Sequence, residues 1–255
     1  LCNYCRKIDI DFASTPYSVG EVDYLLNECN VPFIKIASME INNHDFLKYI
    51  ASKETAIILS TGMSTYDEIN EAVDVIAKAG NKNIAVLHCK SIYPLSPDQA
   101  NLNNIIKLRD ILPDIPIGYS DHTSGLEAAV ASAALGCPII EKHFTLDNLK
   151  IGMDNQMAMM PEQFKNMIDL CNLTQSIMGS YERELSDDEY QQRKMMRRSL
   201  VSKAYISKDK IITNEDICFK RPGDGIPPTE VNQVIGKKAL RNIEADELIS
   251  HSDFV

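Results

Sequence analysis

The sequence predicts an α/β chain in which a parallel β/α barrel is followed by a small β module. Three observations carry that class. Short β-rich runs alternate strictly with longer amphipathic ones, the pattern of parallel strands joined by helical crossovers. No run is followed by GxGxxG, the turn that marks an open dinucleotide-binding sheet. Nearly every run ends in polar residues (STP, KIAS, STGM, HCKS, SDHT, EKHFT). A (β/α)8 TIM barrel gathers its site from the C-terminal ends of many strands, so this placement fits a barrel better than an open sheet.

In chain order the predicted strands are residues 10–15, 33–38, 56–62, 83–89, 115–122 and 137–144. Helical patterns lie between them: VGEVDYLLNEC, HDFLKYIAS, TYDEINEAVDVIAKAG, NLNNIIKLRDIL and SGLEAAVASAALG, with PEQFKNMIDLCNLTQSIMG after the last strand. Ser64-Thr65 ahead of Asp67-Glu68 predicts an N-cap with acids in the first turn, and Gly80 and Gly136 predict helix ends. Six strands are two short of a closed barrel. The sequence, which opens on Leu1 and not Met, is therefore expected to lack the first two βα units.

The barrel part is placed at residues 1–180, a charged linker at 181–197 and a β module at 198–255. The module's texture changes to short strands and turns: SLVSKAYI, DIC, FKRPGDGIPP and VIGKKAL. It hides a repeat, because ISKDKIITNEDI (206–217) aligns without gaps to IEADELISHSDF (243–254). A compact pseudo-symmetric unit follows from that.

A net charge of −10 argues against a nucleic-acid partner, since a phosphate backbone needs a basic face. Seven cysteines, an odd and scattered set, read as buried thiols in a reducing, cytoplasmic setting. Cys2 and Cys5 form a single CxxC, read as one edge of a helix, with a metal or redox role as the lesser alternative. No apolar run approaches the ~18 residues of a membrane span.

His122 and His143 close two successive strands. One histidine in such a place is more often a hydrogen-bonded core residue. Two at matched strand ends favour a divalent-cation site, an open one suited to Lewis-acid chemistry. Asp154, in the loop IGMDNQ, is placed to add a carboxylate beside it. Lys35 interrupts the apolar run FIKIAS and must either meet an anion, pair with an acid or reach the rim. Thr15, Ser38, Ser60, Ser91 and Ser120 all fall at strand ends. With Lys35 they can line a pocket for phosphate or carboxylate, and Ser124-Gly125 opens a helix close by. Arg221, in KRPGDG, reads as a solvated residue of a rigid turn.

Together STPYS, FIKIASMEI, ILSTGMST, LHCKSIYP, NLNNI, IGYSDHTSG, IIEKHFTLD, RRSLV, KRPGDGI and VIGKKALRNI resemble the sialic acid synthase family, the N-acetylneuraminate synthase-like enzymes. The tail resembles the antifreeze-like (SAF) domain that follows the barrel in that family. The resemblance implies condensation of phosphoenolpyruvate (PEP) with an N-acetylmannosamine-type sugar, giving a nonulosonic acid and phosphate, with Mn²⁺ or Mg²⁺ assisting. It implies that His122 and His143 hold the metal and that Asp154 contacts the metal or its water and the sugar. It implies that Lys35, Ser38, Ser60, Ser91, Ser120 and Thr15 bind PEP and that Tyr93 contacts the sugar. It implies that Arg221 reaches the sugar's acyl group in the other subunit of a domain-swapped homodimer. No nucleic acid and no membrane are expected as partners.

Two departures bear on the substrate. Gly152-Met153-Asp154-Asn155 replaces the family's Gly-Pro-Asp-His, and Ser91 stands where some members carry asparagine. Legionaminate-type and pseudaminate-type substrates therefore stay open. The family's first two strands also bring an acid and a lysine to the site. A chain of these residues alone is expected to lack a complete PEP site. The competing readings are another PEP-condensing barrel and a non-catalytic, partner-dependent fragment.

Overall fold

The computed structural model describes residues 1–152 and 154–255. The chain divides into two compact units, 1–179 and 180–255. In the first, helix α1 (Cys2–Lys7) and helix α2 (Val19–Tyr24) precede strand β1 (Phe33–Ile36). Strands and helices then alternate: α3 (His44–Ala51), β2 (Ala56–Ser60), α4 (Tyr66–Lys78), β3 (Ile84–Cys89), α5 (Asn103–Ile111), β4 (Ile117–Asp121), α6 (Glu127–Ala134), β5 (Ile140–Lys142) and α7 (Pro161–Met178). The five strands form one parallel sheet in the order β1-β2-β3-β4-β5. Sequential order without a reversal is the wall of a β/α barrel, whereas a doubly wound sheet reverses at its switch point.

Alternation explains the two faces of the sheet. Ile34, Ile36, Ile57, Leu59, Val86, Ile117 and Tyr119 are buried in one cluster with Leu47, Ile50, Ile69, Ile76, Ile105 and Leu108 of α3, α4 and α5. The helix boundaries have local causes. The Thr65 hydroxyl accepts from the Glu68 N–H while the Glu68 carboxylate accepts from the Thr65 N–H, a complete capping box on α4. Gly80 and Gly136 follow α4 and α6 with φ of 99° and 77°, the left-handed region where glycine costs least. At Gly118 the reason is closeness: a Cβ there would lie 2.5 Å from the Ile139 carbonyl oxygen.

One expected strand is absent. Residues 10–15 are not a strand: Phe12 packs on the core, and the backbone link to β1 is one hydrogen bond from Lys35 N–H to the Ser14 carbonyl at 3.4 Å. A ladder needs repeated bonds, and one does not make it. The last expected strand is also shorter than residues 137–144, since only Ile140–Lys142 pair with β4. Cys2 and Cys5 fall on α1, as the CxxC reading expected, and both thiols are free. Among the described residues no helix is long and apolar enough to cross a membrane.

The second unit holds helix α8 (Asp187–Met196), capped by Ser186, and an antiparallel pair, β6 (Ser199–Ser202) and β7 (Ile217–Lys220). VIGKKAL forms no strand and joins through isolated bridges at Lys238 and Ala239. The repeat is a real symmetry. Ile206 and Ile243, equivalent positions, exchange both backbone hydrogen bonds at 2.9 Å. Their successors Asp209 and Asp246 both have positive φ, 71° and 64°. Ile212 and Ile249 are both fully buried. Asp216 and Asp253 each accept the N–H three residues earlier, from Thr213 and Ser250.

Gly118→Ala should destabilise the first unit by about 1–3 kcal/mol, as overpacking of a tight core does. Chemical denaturation of the two proteins measures it. An unchanged midpoint would mean that β4 moves freely away from Ile139.

Candidate active site

Because the five strands are parallel, their C-terminal ends finish along one rim. Period two then chooses which residues face inward: Lys35, Ser60, Cys89, Ser120, Glu141 and the two histidines just beyond. Thr15, Lys35, Ser38, Ser60, Tyr93, Ser120, His122 and His143 line one cavity of about 260 Å³, with Tyr17, Cys89, Glu141 and Lys142. A larger cavity of about 580 Å³ lies beside it, between the β2–α4 and β3–α5 connections, and shares Cys89 with it. The smaller one holds the convergent strand-end groups, so it is the candidate site.

Its floor is a polar chain. Lys35 Nζ donates to Ser60 Oγ at 2.7 Å and faces Glu141 Oε2 at 3.6 Å. Ser120 Oγ donates to Glu141 Oε1 at 2.6 Å. Burial pushes the Lys35 pKa down, against the pull of the Glu141 carboxylate. Ser38 sits in the 3₁₀ turn after β1, where its hydroxyl accepts from the Gly62 N–H at 2.8 Å. The absence of a side chain at Gly62 leaves room for both hydroxyls: a Cβ would stand 2.0 Å from Ser91 Oγ and 2.9 Å from Ser38 Oγ, and they would have to turn away.

The histidines form the upper wall. His122 Nδ1 lies 2.7 Å from the Lys90 carbonyl oxygen, which can only accept, so Nδ1 carries the proton and Nε2 keeps its lone pair. The two imidazole rings meet edge to face, 5.2 Å between centroids, and Tyr93 packs 4.2 Å from His122 and 5.8 Å from His143. Asp154 Oδ2 is 3.7 Å from His143 Nδ1. Burial and the neighbouring His122 lower the His143 pKa. At His122 burial also opposes the charge, but the Cys89 thiol and the Lys90 carbonyl outweigh it and the pKa is raised. Among the described residues no group of three or more His, Cys, Asp or Glu is gathered closely enough to hold a metal ion by itself.

Of the residues singled out in the sequence, eight line this cavity and Asp154 stands at its edge. Ser91 lines the adjoining cavity, with its hydroxyl 3.9 Å from Cys89 Sγ. Arg221 is an exposed residue of the second unit, directly after β7. Met153, one of the two substrate-related departures, lies outside the described residues. Sequence reading missed Glu141, Lys142, Asp121 and Cys89. Glu141 was signalled by period two from His143, and Lys35 needed an acid. Cys89 looked like an apolar strand residue. Instead its thiol stands 3.7 Å from Ser38 Oγ and 3.9 Å from His122 Nδ1.

The fold and this rim define a β/α-barrel chain with a polar site at its strand ends, followed by a small C-terminal module. The particular family follows from comparison: the chain belongs to the NeuB family, whose profile matches residues 1–183, and residues 197–255 match the SAF domain. It is 39% identical over 251 residues to the N,N'-diacetyllegionaminic acid synthase of Campylobacter jejuni, covering 98% of this chain and 75% of that protein. It is 32% identical over 250 residues to the human N-acetylneuraminate-9-phosphate synthase, covering 98% and 69%. Its structure superposes on the N-acetylneuraminic acid synthetase of Leptospira borgpetersenii with a TM-score of 0.70 at 33% identity, over 74% of this chain and 66% of that one. These relatives are synthases, and the chain is of that enzyme class.

Burial raises the Cys89 pKa, but His122 and Ser38 overcome it and the thiol lies below its ordinary value. Cys137, buried without such partners, is pushed up to about 11. Iodoacetamide should therefore modify Cys89 before Cys137 at neutral pH, read by peptide mass mapping. The reverse order would show that Cys89 is not polarised by His122.

Proposed function

We propose that the chain condenses PEP with an N-acetylmannosamine-type sugar, giving a sialic acid-like nonulosonic acid and phosphate, with Mn²⁺ or Mg²⁺ assisting. The observation that carries this is the convergence of Lys35, Ser38, Ser60 and Ser120 with His122 and His143 on one cavity at the strand ends. A lysine among hydroxyls suits a phosphate-bearing carboxylate. Thr15 lines the same wall, and Ser91, beside Gly62, is assigned to the same ligand. Tyr93 and Asp154, on the histidine side, are assigned to the sugar.

The histidines fit a cation. His122 offers Nε2 with its tautomer set by the Lys90 carbonyl, His143 stands beside it, and two protein ligands leave positions open for substrate and water. Bound there, the cation supplies Lewis acidity toward the sugar's aldehyde oxygen. The chain's own residues hold PEP with C3 toward the aldehyde carbon. A C3–carbon bond forms, water adds at C2, and the C2–O bond to phosphate breaks. Asp154, 3.7 Å from His143 Nδ1, is assigned to the metal or its water and to the sugar. Arg221 is assigned to the acyl group in a partner copy's site, which makes the assembly a homodimer. The SAF domain favours this reading over a sugar-phosphate-condensing barrel. The four buried thiols, Cys29, Cys89, Cys137 and Cys171, suit a cytoplasmic location.

The test is phosphate release from PEP by the full-length protein against N-acetylmannosamine and legionaminate- and pseudaminate-type precursors, with Mn²⁺ or Mg²⁺. His122→Ala/His143→Ala should lose at least about 100-fold in turnover, the scale of an electrostatic catalytic group. Full turnover by that variant, or none by the parent with any acceptor, would sink the reading. Lys35→Met should raise the KM for PEP about tenfold or more, since a charge-assisted hydrogen bond contributes roughly 1.5–3 kcal/mol.

Lys35 also sets a pH limit. Its folded pKa is lowered, so the ammonium that holds PEP is present at low pH and lost as pH rises through that lowered value. PEP affinity should fall on an alkaline limb below the ordinary lysine range, and Lys35→Arg should move the limb outward. A limb that stays put in Lys35→Arg would assign it to another group.

A further inference from the structure

Directly behind the two histidines lies a pair that the reaction as described does not use. Asp121 and Lys142 precede His122 and His143 in sequence and face each other as the last rung of the β4–β5 ladder. Their side chains are 0% and 1% exposed, and Lys142 Nζ stands 2.7 Å from Asp121 Oδ2. Both groups have further partners. Lys142 also donates to the carbonyls of Thr123 and Gly125 and to Thr123 Oγ1. Asp121 Oδ1 accepts from Thr123 N–H at 2.8 Å and from Tyr119 Oη at 3.2 Å.

This geometry does two things. The β4–β5 pairing is only three rungs long, Tyr119 with Ile140, Ser120 with Glu141 and Asp121 with Lys142, so register rests on few contacts. A slip of one residue would turn one histidine away from the other. A buried ion pair with a single satisfied geometry resists such a slip, because every misaligned state buries an unpaired charge. The three carbonyl and hydroxyl contacts of Lys142 also tie the strand that carries His143 to the loop that follows His122.

We infer that the Asp121–Lys142 pair positions His122 and His143, fixing the separation at which they hold a divalent cation. Both are positioning residues, acting through the histidines and not on substrate. The inference rests on the cation reading given above.

The test uses the full-length protein and cation binding, not turnover. Mn²⁺ affinity is measured by electron paramagnetic resonance of the free ion, and coordination by the ligand-field bands of bound Co²⁺. Asp121→Asn keeps the shape and the acceptor for Thr123 N–H, and Lys142→Gln keeps polar contacts without the charge. Each should weaken Mn²⁺ binding about tenfold or more and shift the Co²⁺ bands, well below the melting temperature and with native circular dichroism. Should Lys142→Gln fail to fold, Asp121→Asn alone decides. A purely structural pair would lower the melting temperature but leave Mn²⁺ affinity within about twofold and the Co²⁺ spectrum unshifted, and that result overturns the inference. His122→Ala/His143→Ala separates the two claims. If it binds Mn²⁺ as well as the parent, the cation reading fails, and the positioning role falls with it.

Discussion

Everything in the first unit depends on parallel register. Strands that run the same way end at the same rim, and each pairing fixes which alternate residue turns inward. Ser120 and Glu141 are directly paired, and so are Cys89 and Ser120, so three inward groups stand side by side without any loop to arrange them. The cost is that charged and hydroxyl groups are carried into a low-dielectric interior. Lys35 answers that cost locally, through Ser60 and Glu141.

The same alternation governs the opposite face. There the strands meet helices, and almost every residue is aliphatic. Asp121, Lys142 and His88 are the exceptions: the two charges neutralise each other, and His88 Nε2 lies 2.8 Å from the Ala100 carbonyl oxygen. Tyr119 belongs with them, since it fills the core and gives its hydroxyl to Asp121. The site is thus backed by a polar knot on one side and lined by a polar chain on the other. The histidines lie where the two meet.

Much of this was legible in the sequence, for physical reasons. Five of the six strands and the caps of α4 and α6 follow from periodicity and from Thr65, Glu68, Gly80 and Gly136, all local signals. His122, His143 and Lys35 stood out because each is a polar group in an apolar run. What could not be read was pairing across strands. Glu141 and Lys142 sit in the same short motif and both border the cavity, yet the Glu141 carboxylate joins the cavity's polar chain while the Lys142 ammonium turns to Asp121. Only register shows that their partners are Lys35 with Ser120 and Asp121. Residues 10–15 misled because β-rich composition does not supply ladder partners. Ser91 fell in the adjoining cavity because it lies on the loop after β3, where strand period no longer fixes direction.

The second unit offers a different lesson. Its halves repeat a left-handed aspartate, a buried isoleucine and an aspartate that closes a turn, at Asp209, Ile212 and Asp216 and again at Asp246, Ile249 and Asp253. Two copies of one design in one chain share temperature, solvent and folding history. A change made in one half can be read against its twin without a second protein. Asp216 is served by Lys210 and Asp253 by Arg241, one point where the copies differ. The module therefore carries an internal reference, against which the effect of a lysine or an arginine on one and the same turn can be weighed.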